Sequence, residues 1–215
     1  MFVRLWMTRN PVCVEPAMPI EEARVLMEDN EFRRLPVVEE GKLRGLLCES
    51  DVRTLPAIHA GDPVEEIMVP EVETVSPFTP IEEAVRRMYE KKIGCLVVTY
   101  HEEVQGILTD TDAFRAFMSI LEAGEPSVRL TFDMQDDGHG LHELSDLIEG
   151  YGLEVDSLVV HRRRADPGRK IVGIRVRGRR VEAFVDSLWK GGYRVLQVLI
   201  PEEEESEAPV DPRGA

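Results

Sequence analysis

The chain reads as a mixed α+β protein built from two successive βαββα repeats, a βαββαβ unit and an acidic tail. Three observations predict this. An ungapped internal match carries Met7–Arg53 onto Met68–Phe114 at a constant offset, with 14 of 47 positions identical. From Val128 onward, apolar residues alternate at period two in four short runs and recur at helical spacing in two others. The charge, −15 in total over 215 residues, is unevenly spread, with 13 basic against 24 acidic residues in 1–125, 12 against 11 in 126–200, and 1 against 6 in 201–215.

In the second copy the helix start is clearest. Thr79-Pro80-Ile81-Glu82 has the spacing of a capping box with proline at the first helical position, and Ile81, Ala84, Val85 and Met88 fall on one face. Leu96-Val97-Val98, a polar turn and Val104 to Leu108 make a two-strand pattern, after which Thr109-Asp110-Thr111-Asp112 opens a helix through Leu121. The first copy repeats this with Leu35-Pro36-Val37-Val38 and Leu43 to Leu47, but Pro56 cuts its closing helix short. Residues 54–67 are expected to be a linker.

The repeated glycine and aspartate, Gly45/Asp51 and Gly106/Asp112, bracket a strand exit and a helix start. A carboxylate there can accept hydrogen bonds from vicinal ribose hydroxyls, while threonine hydroxyls and helix-terminal amides can donate to phosphate. The alternative is that Thr109 and Asp112 only cap the following helix. Recurrence of the pattern in both copies favours the ligand reading.

At these residues the chain resembles a tandem pair of cystathionine-β-synthase-type (CBS) domains, which pack as one pseudo-twofold module. The resemblance covers about residues 5–122, with copies at 5–60 and 61–122, and implies two clefts that bind an adenine nucleotide (AMP, ADP, ATP) or an S-adenosyl compound as a regulatory ligand. The second motif is intact as Gly106, Thr109, Thr111 and Asp112. In the first, Cys48 replaces the hydroxyl residue, leaving Ser50 and Asp51, so one strong and one weakened site are expected. The resemblance adds Phe32, Arg33 and Arg34, Ile93 and Gly94 as cleft residues and Val12 on the strand flanking the base. Arg33 and Arg34 read equally as surface charge, and Val12 as core.

In residues 126–200 strands 128–134, 155–160, 171–176 and 193–200 and helices 141–149 and 181–190 give βαββαβ. Leu141, Leu144, Leu147 and Ile148, with Val181, Phe184, Val185 and Leu188, would cover one sheet face, and glycines at 150, 152, 191 and 192 end the helices. This order resembles the ferredoxin-like ACT regulatory domain. Only Gly140, in His139-Gly140-Leu141, matches the family's effector loop. Asp136, Asp137, His139 and His142 are read as a polar loop capping the helix, with no metal site expected.

His161 to Arg180 holds nine Arg or Lys and one Asp. Without interleaved aromatic residues it reads as a hairpin with a basic solvent face, turning at Asp166-Pro-Gly-Arg, and not as a nucleic-acid surface. The acidic first segment likewise disfavours nucleic acid. No apolar run approaches a membrane span, Arg4 and Arg9 interrupt any leader-like stretch, and Cys13, Cys48 and Cys95 lack metal or disulfide spacing, so a cytoplasmic protein with three buried cysteines is expected. The run after Pro201 is expected to be a disordered tail.

A CBS pair followed by an ACT domain resembles the acetoin utilisation protein B type of presumed regulators. No nucleophile, phosphate loop or metal motif marks an enzyme, and no cofactor is implied. The expectation is a homodimeric, non-enzymatic sensor acting on an unidentified regulated protein. The alternatives are a constitutive dimeric scaffold and an amino-acid sensor acting through the ACT domain.

Overall fold

The computed structural model describes residues 1–121, 127–163 and 166–201. The acidic tail and Arg164 therefore lie outside the described residues. The chain divides into two compact units, Met1–Met118 and Ser119–Ala215.

The first unit contains β1 (Thr8–Arg9), α1 (Ile20–Asn30), β2 (Arg34–Glu39), β3 (Lys42–Cys48), α2 (Glu49–Arg53), β4 (Thr74–Val75), α3 (Ile81–Lys91), β5 (Cys95–Tyr100), β6 (Glu103–Thr109) and all but the last turn of α4 (Asp110–Leu121). The offset that relates the sequence copies also relates α1 to α3, β2 to β5 and β3 to β6 residue for residue. Both long helices end on a non-glycine residue in the left-handed region, Glu31 at φ 57° and Lys92 at φ 55°. The sheet order is β2-β3-β6-β5-β4, with β1 on β6 and the two hairpins joined at Lys42 and Glu103.

The copies in the sequence are not the packing units. Val3, in a 3-10 turn ahead of β1, is fully buried among Val75, Ile81, Met88, Leu96 and Leu108 of the second copy. Its counterpart Val64, in the turn Val64–Glu66, is fully buried among Val14, Ile20, Met27, Leu35 and Leu47 of the first. The hydrogen bonds mirror this exchange: Val3 N–H donates to Thr79 O (2.9 Å) and Val64 N–H to Met18 O (2.9 Å), while Ile81 N–H donates to Met1 O (2.9 Å) and Ile20 N–H to Asp62 O (2.9 Å).

Thr8 pairs with Ile107 on β6, and Val69 bridges Leu46 on β3. The repeated glycines make room for these strands. A Cβ on Gly106 would lie 2.7 Å from Thr8 O, and one on Gly45 would lie 3.0 Å from Val69 O.

Several expectations change. The stretch 54–67 is no passive linker, because Val64 closes the first core. Thr79 forms no capping box: Pro80 is the cap residue, without a side-chain bond, and the exchanged N-terminal segment supplies the acceptor at Met1 O. Val12 lies outside the strands, is 43% exposed, and precedes a bridge between Val14 and Val37. Of the cysteines only Cys95 is buried, whereas Cys48 is half-buried and Cys13 exposed. The closing helix of the first copy does stop early, at Arg53, three residues before Pro56.

The second unit is a four-stranded antiparallel sheet, β10-β7-β9-β8, from β7 (Val128–Gln135), α5 (Gly140–Tyr151), β8 (Glu154–Arg163), β9 (Asp166–Arg177), α6 (Val181–Lys190) and β10 (Arg194–Leu199). Leu130, Phe132, Met134, Val172, Ile174 and Val176 face Leu144, Phe184 and Leu188 in one core. This is the expected βαββαβ order, with both helices on one face. Strand β9 already begins at Asp166, opposite Arg163, so the Asp-Pro-Gly-Arg segment belongs to a strand and not to the turn.

Truncating Val3 to alanine should cost about 2 kcal/mol through lost burial and the cavity left behind, and Val64→Ala should cost a similar amount. Urea unfolding of the two variants checks this. A Val3→Ala loss confined to fraying of the terminus would contradict the exchanged packing.

Candidate functional site

The intact motif sits where β6 ends and α4 begins, and its geometry is that of a reciprocal cap. The Thr109 N–H and hydroxyl both donate to Asp112 Oδ2, at 2.9 and 2.8 Å, and the Asp112 N–H donates back to Thr109 Oγ1 at 3.3 Å. Asp112 is 2% exposed, and its second oxygen, Oδ1, faces Arg115 at 3.4 Å. The Asp110 N–H donates to Gly94 O and the Thr111 N–H to Asp110 Oδ1. The amides of Thr109, Thr111 and Asp112 are thus engaged within the motif and that of Asp110 by Gly94 O, while the Thr111 side chain is exposed.

In the first copy the same cap is degraded. Cys48 occupies the cap position with extended backbone (φ −109°, ψ 142°) but makes no capping bond, and Ser50 Oγ donates instead to Asp51 Oδ1 at 3.3 Å. Sulfur is a weak acceptor, and α2 is short.

Arg34 is the residue the fold brings furthest into shared space. It is half-buried, its guanidinium lies against Gly94 of the other copy so closely that a Cβ there would sit 2.5 Å from Nη2, and its neighbours are thiols. Burial pushes the Cys95 thiol up to about 11 despite the opposing pull of Arg34. The Cys48 thiol is also raised, by burial first and then by Asp51. Both thiols therefore stay neutral at ordinary pH and supply no charge to offset Arg34, while Asp51 acts on Cys48 and Asp110 on Cys95 without either forming an ion pair with Arg34. Among the described residues no carboxylate pairs with it.

Phe32 and Arg33 stand elsewhere, in a groove between α1 and α2, and Ile93 and Gly94 line the equivalent groove between α3 and α4. The fold therefore joins Arg34, Gly94 and Asp110 around Cys95 but leaves Phe32, Arg33 and Val12 apart from that cluster. Cys48 and Cys95 as neighbours of Arg34 were not anticipated. The signal available was that Cys48 ends β3 just before its motif and Cys95 stands in the second copy where Arg34 stands in the first.

In the second unit, the Gly140 N–H donates to Asp137 Oδ1 (3.1 Å), as does the His139 N–H (2.9 Å), and a Cβ on Gly140 would collide with Met134. These bonds hold the Asp137 carboxyl below its ordinary range. The loop is a helix cap, as its polar composition implies, and the space at Gly140 is taken by the end of the Met134 side chain. The basic hairpin is largely neutralised within the sheet: Arg163 and Arg169 pair with buried Asp133 (3.2 and 2.8 Å), Arg162 and Lys170 with Asp136, and Arg177 with Asp156.

Thr109→Ala should cost about 1 kcal/mol, whereas Cys48→Thr, which restores the missing hydroxyl, should gain up to about 1 kcal/mol, both read from urea midpoints. Because the Asp137 carboxyl is depressed on folding, its stabilisation is present above its ordinary value and is lost as pH falls through the lower, folded one. Asp137→Asn should therefore flatten the acid limb of a thermal-stability profile.

The family model for the CBS domain matches residues 3–57 and 64–119. A CBS domain-containing protein of Bacillus subtilis (strain 168), YhcV, is 31% identical over 121 residues, covering 55% of this chain and 86% of that protein. A Vibrio cholerae structure that carries the name acetoin utilization protein (AcuB) superposes with a TM-score of 0.52 at 29% identity, covering 56% of this chain and 93% of that one. The structure of CBSX2 in complex with AMP gives 0.51 at 26% identity, covering 56% and 98%. With both copies matched by the family model and the exchanged twofold architecture in place, this chain belongs to the CBS-domain family.

Proposed function

We propose that the first unit is a regulatory sensor that binds an adenine nucleotide between its two CBS copies, with Arg34 receiving phosphate and Asp112 the ribose. The observation that carries this reading is the half-buried Arg34 guanidinium, which reaches across to Gly94 among neutral thiols. An unpaired, partly desolvated guanidinium is a ready phosphate partner. The AMP complex of CBSX2 supports the ligand class. Asp112 would accept from the ribose through Oδ1, displacing the weakly held Arg115, while Oδ2 keeps its bonds to Thr109. Ser50 and Asp51 form the weaker of the two sites, since Cys48 supplies no hydroxyl. CBS domains are in general regulatory and non-catalytic, and the signal would be a ligand-dependent shift between two arrangements. A link to acetoin or related small-molecule metabolism rests on the likeness to AcuB alone. We assign the second unit to the ACT type on its βαββαβ order.

The same unit is proposed to act as a homodimer through its second copy. Tyr89, Phe114 and Phe117 are 85%, 70% and 54% exposed along an apolar groove of about 730 Å³ between α3 and α4. The equivalent groove in the first copy is lined by Arg24, Glu28, Glu31, Arg33, Glu49 and Arg53. The lining of the second copy's groove also includes Glu90, Lys92 and Asp110, half the number of charged residues in the first copy's groove, so pairing like with like buries the aromatic face with fewer charges and the second copies should meet each other.

Thermal unfolding with AMP, ADP, ATP, S-adenosylmethionine and methylthioadenosine tests the site. A nucleotide at 100 times its dissociation constant should stabilise by about 2.7 kcal/mol. Arg34→Met should abolish the AMP effect and spare that of phosphate-free methylthioadenosine. If no ligand moves the midpoint, the scaffold reading replaces the sensor. For the dimer, Phe114→Asp should shift sedimentation to the monomer and Arg53→Ala should not, and an unchanged Phe114→Asp dimer would refute this interface.

A further inference from the structure

The outer face of the C-terminal sheet, turned away from α5 and α6, carries two half-buried arginines that no carboxylate pairs among the described residues. Arg129 on β7 and Arg175 on β9 stand directly opposite each other in register, both half-buried. Their neighbours Arg162, Arg163, Arg169, Lys170 and Arg177 all pair with carboxylates. Arg129 and Arg175 pair with none among the described residues. Like charges directly opposed across strands repel, so the pair destabilises the sheet by itself.

Beside this pair the sheet has a gap. In the same row Ser157 lies opposite Arg175, and in the next row Thr131 and Val159 flank Gly173. A Cβ on Gly173 would meet nothing nearer than Val159 O at 4.0 Å, so the missing side chain is not required by packing. It leaves a cavity of about 100 Å³ whose polar lining is Arg129, Arg175, Thr131, Ser157 and His161, set among apolar side chains such as Val159 and Ile171. That is the share of roughly three waters, enough for one tetrahedral oxyanion. A glycine inside a central strand commonly marks a close approach by a ligand.

We propose that this recess is a phosphate-binding site, with Arg129 and Arg175 supplying the charge and the Thr131 and Ser157 hydroxyls completing the donor set. Two guanidiniums balance a dianion, whereas a carboxylate would leave one positive charge unpaired in the recess. Guanidinium forks match phosphate oxygens in geometry as well as charge. The site is separate from the nucleotide cleft and does not depend on it.

The test is isothermal titration of the full chain with inorganic phosphate, with acetate as comparator, at fixed ionic strength. Saturable phosphate binding that Arg175→Gln weakens about tenfold or more is expected, a loss of about 1.4 kcal/mol or more. Gly173→Val should fill the recess and abolish binding with the fold retained by circular dichroism, and Arg34→Met should leave it intact, separating this site from the cleft. In phosphate-free, low-salt buffer Arg129→Gln should raise the thermal midpoint by relieving repulsion. Glycerol 3-phosphate, run in parallel, distinguishes free phosphate from the phosphate group of a larger metabolite, and tighter binding of either form upholds the site. Absence of saturable binding, or identical titrations for wild type, Arg175→Gln and Gly173→Val, overturns the proposal.

Discussion

The first unit depends on a reciprocal exchange of short apolar segments. Neither copy closes its own core: Val3 fills the second and Val64 fills the first, each at the same relative position and each anchored by an equivalent backbone hydrogen bond. The pairing of Thr8 with Ile107, mirrored by Val69 with Leu46, then fixes the hairpins in twofold relation. Gly45 and Gly106 are required by this contact, since a side chain at either would run into the carbonyl of the incoming strand. The glycine that looks like a ligand feature in the motif is therefore first a packing feature.

The exchange also explains why the helix starts differ from their sequence signals. The first helical amides of α1 and α3 find their acceptors on the exchanged segments, at Asp62 O and Met1 O, so no side-chain cap is needed and Thr79 is released from that role. At α4 no exchanged segment is available, and the cap is made internally by Thr109 and Asp112. The ligand reading and the capping reading of this motif are compatible, because Oδ2 serves the helix and Oδ1 is held only by an exposed arginine.

Charge is arranged by a related economy. In the second unit one buried aspartate, Asp133, gathers Arg163 and Arg169, and most of the basic hairpin is neutralised within its own sheet. In the first unit Arg34 is held among thiols that burial keeps protonated. The half-buried cations that no carboxylate pairs among the described residues, Arg34 in one unit and Arg129 with Arg175 in the other, are where an anion lowers the energy most.

Much of this was legible in the chain itself. The constant offset set α1 against α3 and β2-β3 against β5-β6, because identical apolar spacing dictates identical local structure. The βαββαβ order and the early end of α2 before Pro56 were also local, written in period-two alternation and in a proline that breaks a helix. What periodicity could not reveal is which copy each terminal segment joins, since Val3 and Val64 are apolar wherever they pack. It likewise could not separate Arg34, drawn into shared space, from Arg33 beside it in a groove. Residues adjacent in sequence part company at a strand edge because successive side chains point to opposite faces, and only the closed tertiary structure decides what each face meets.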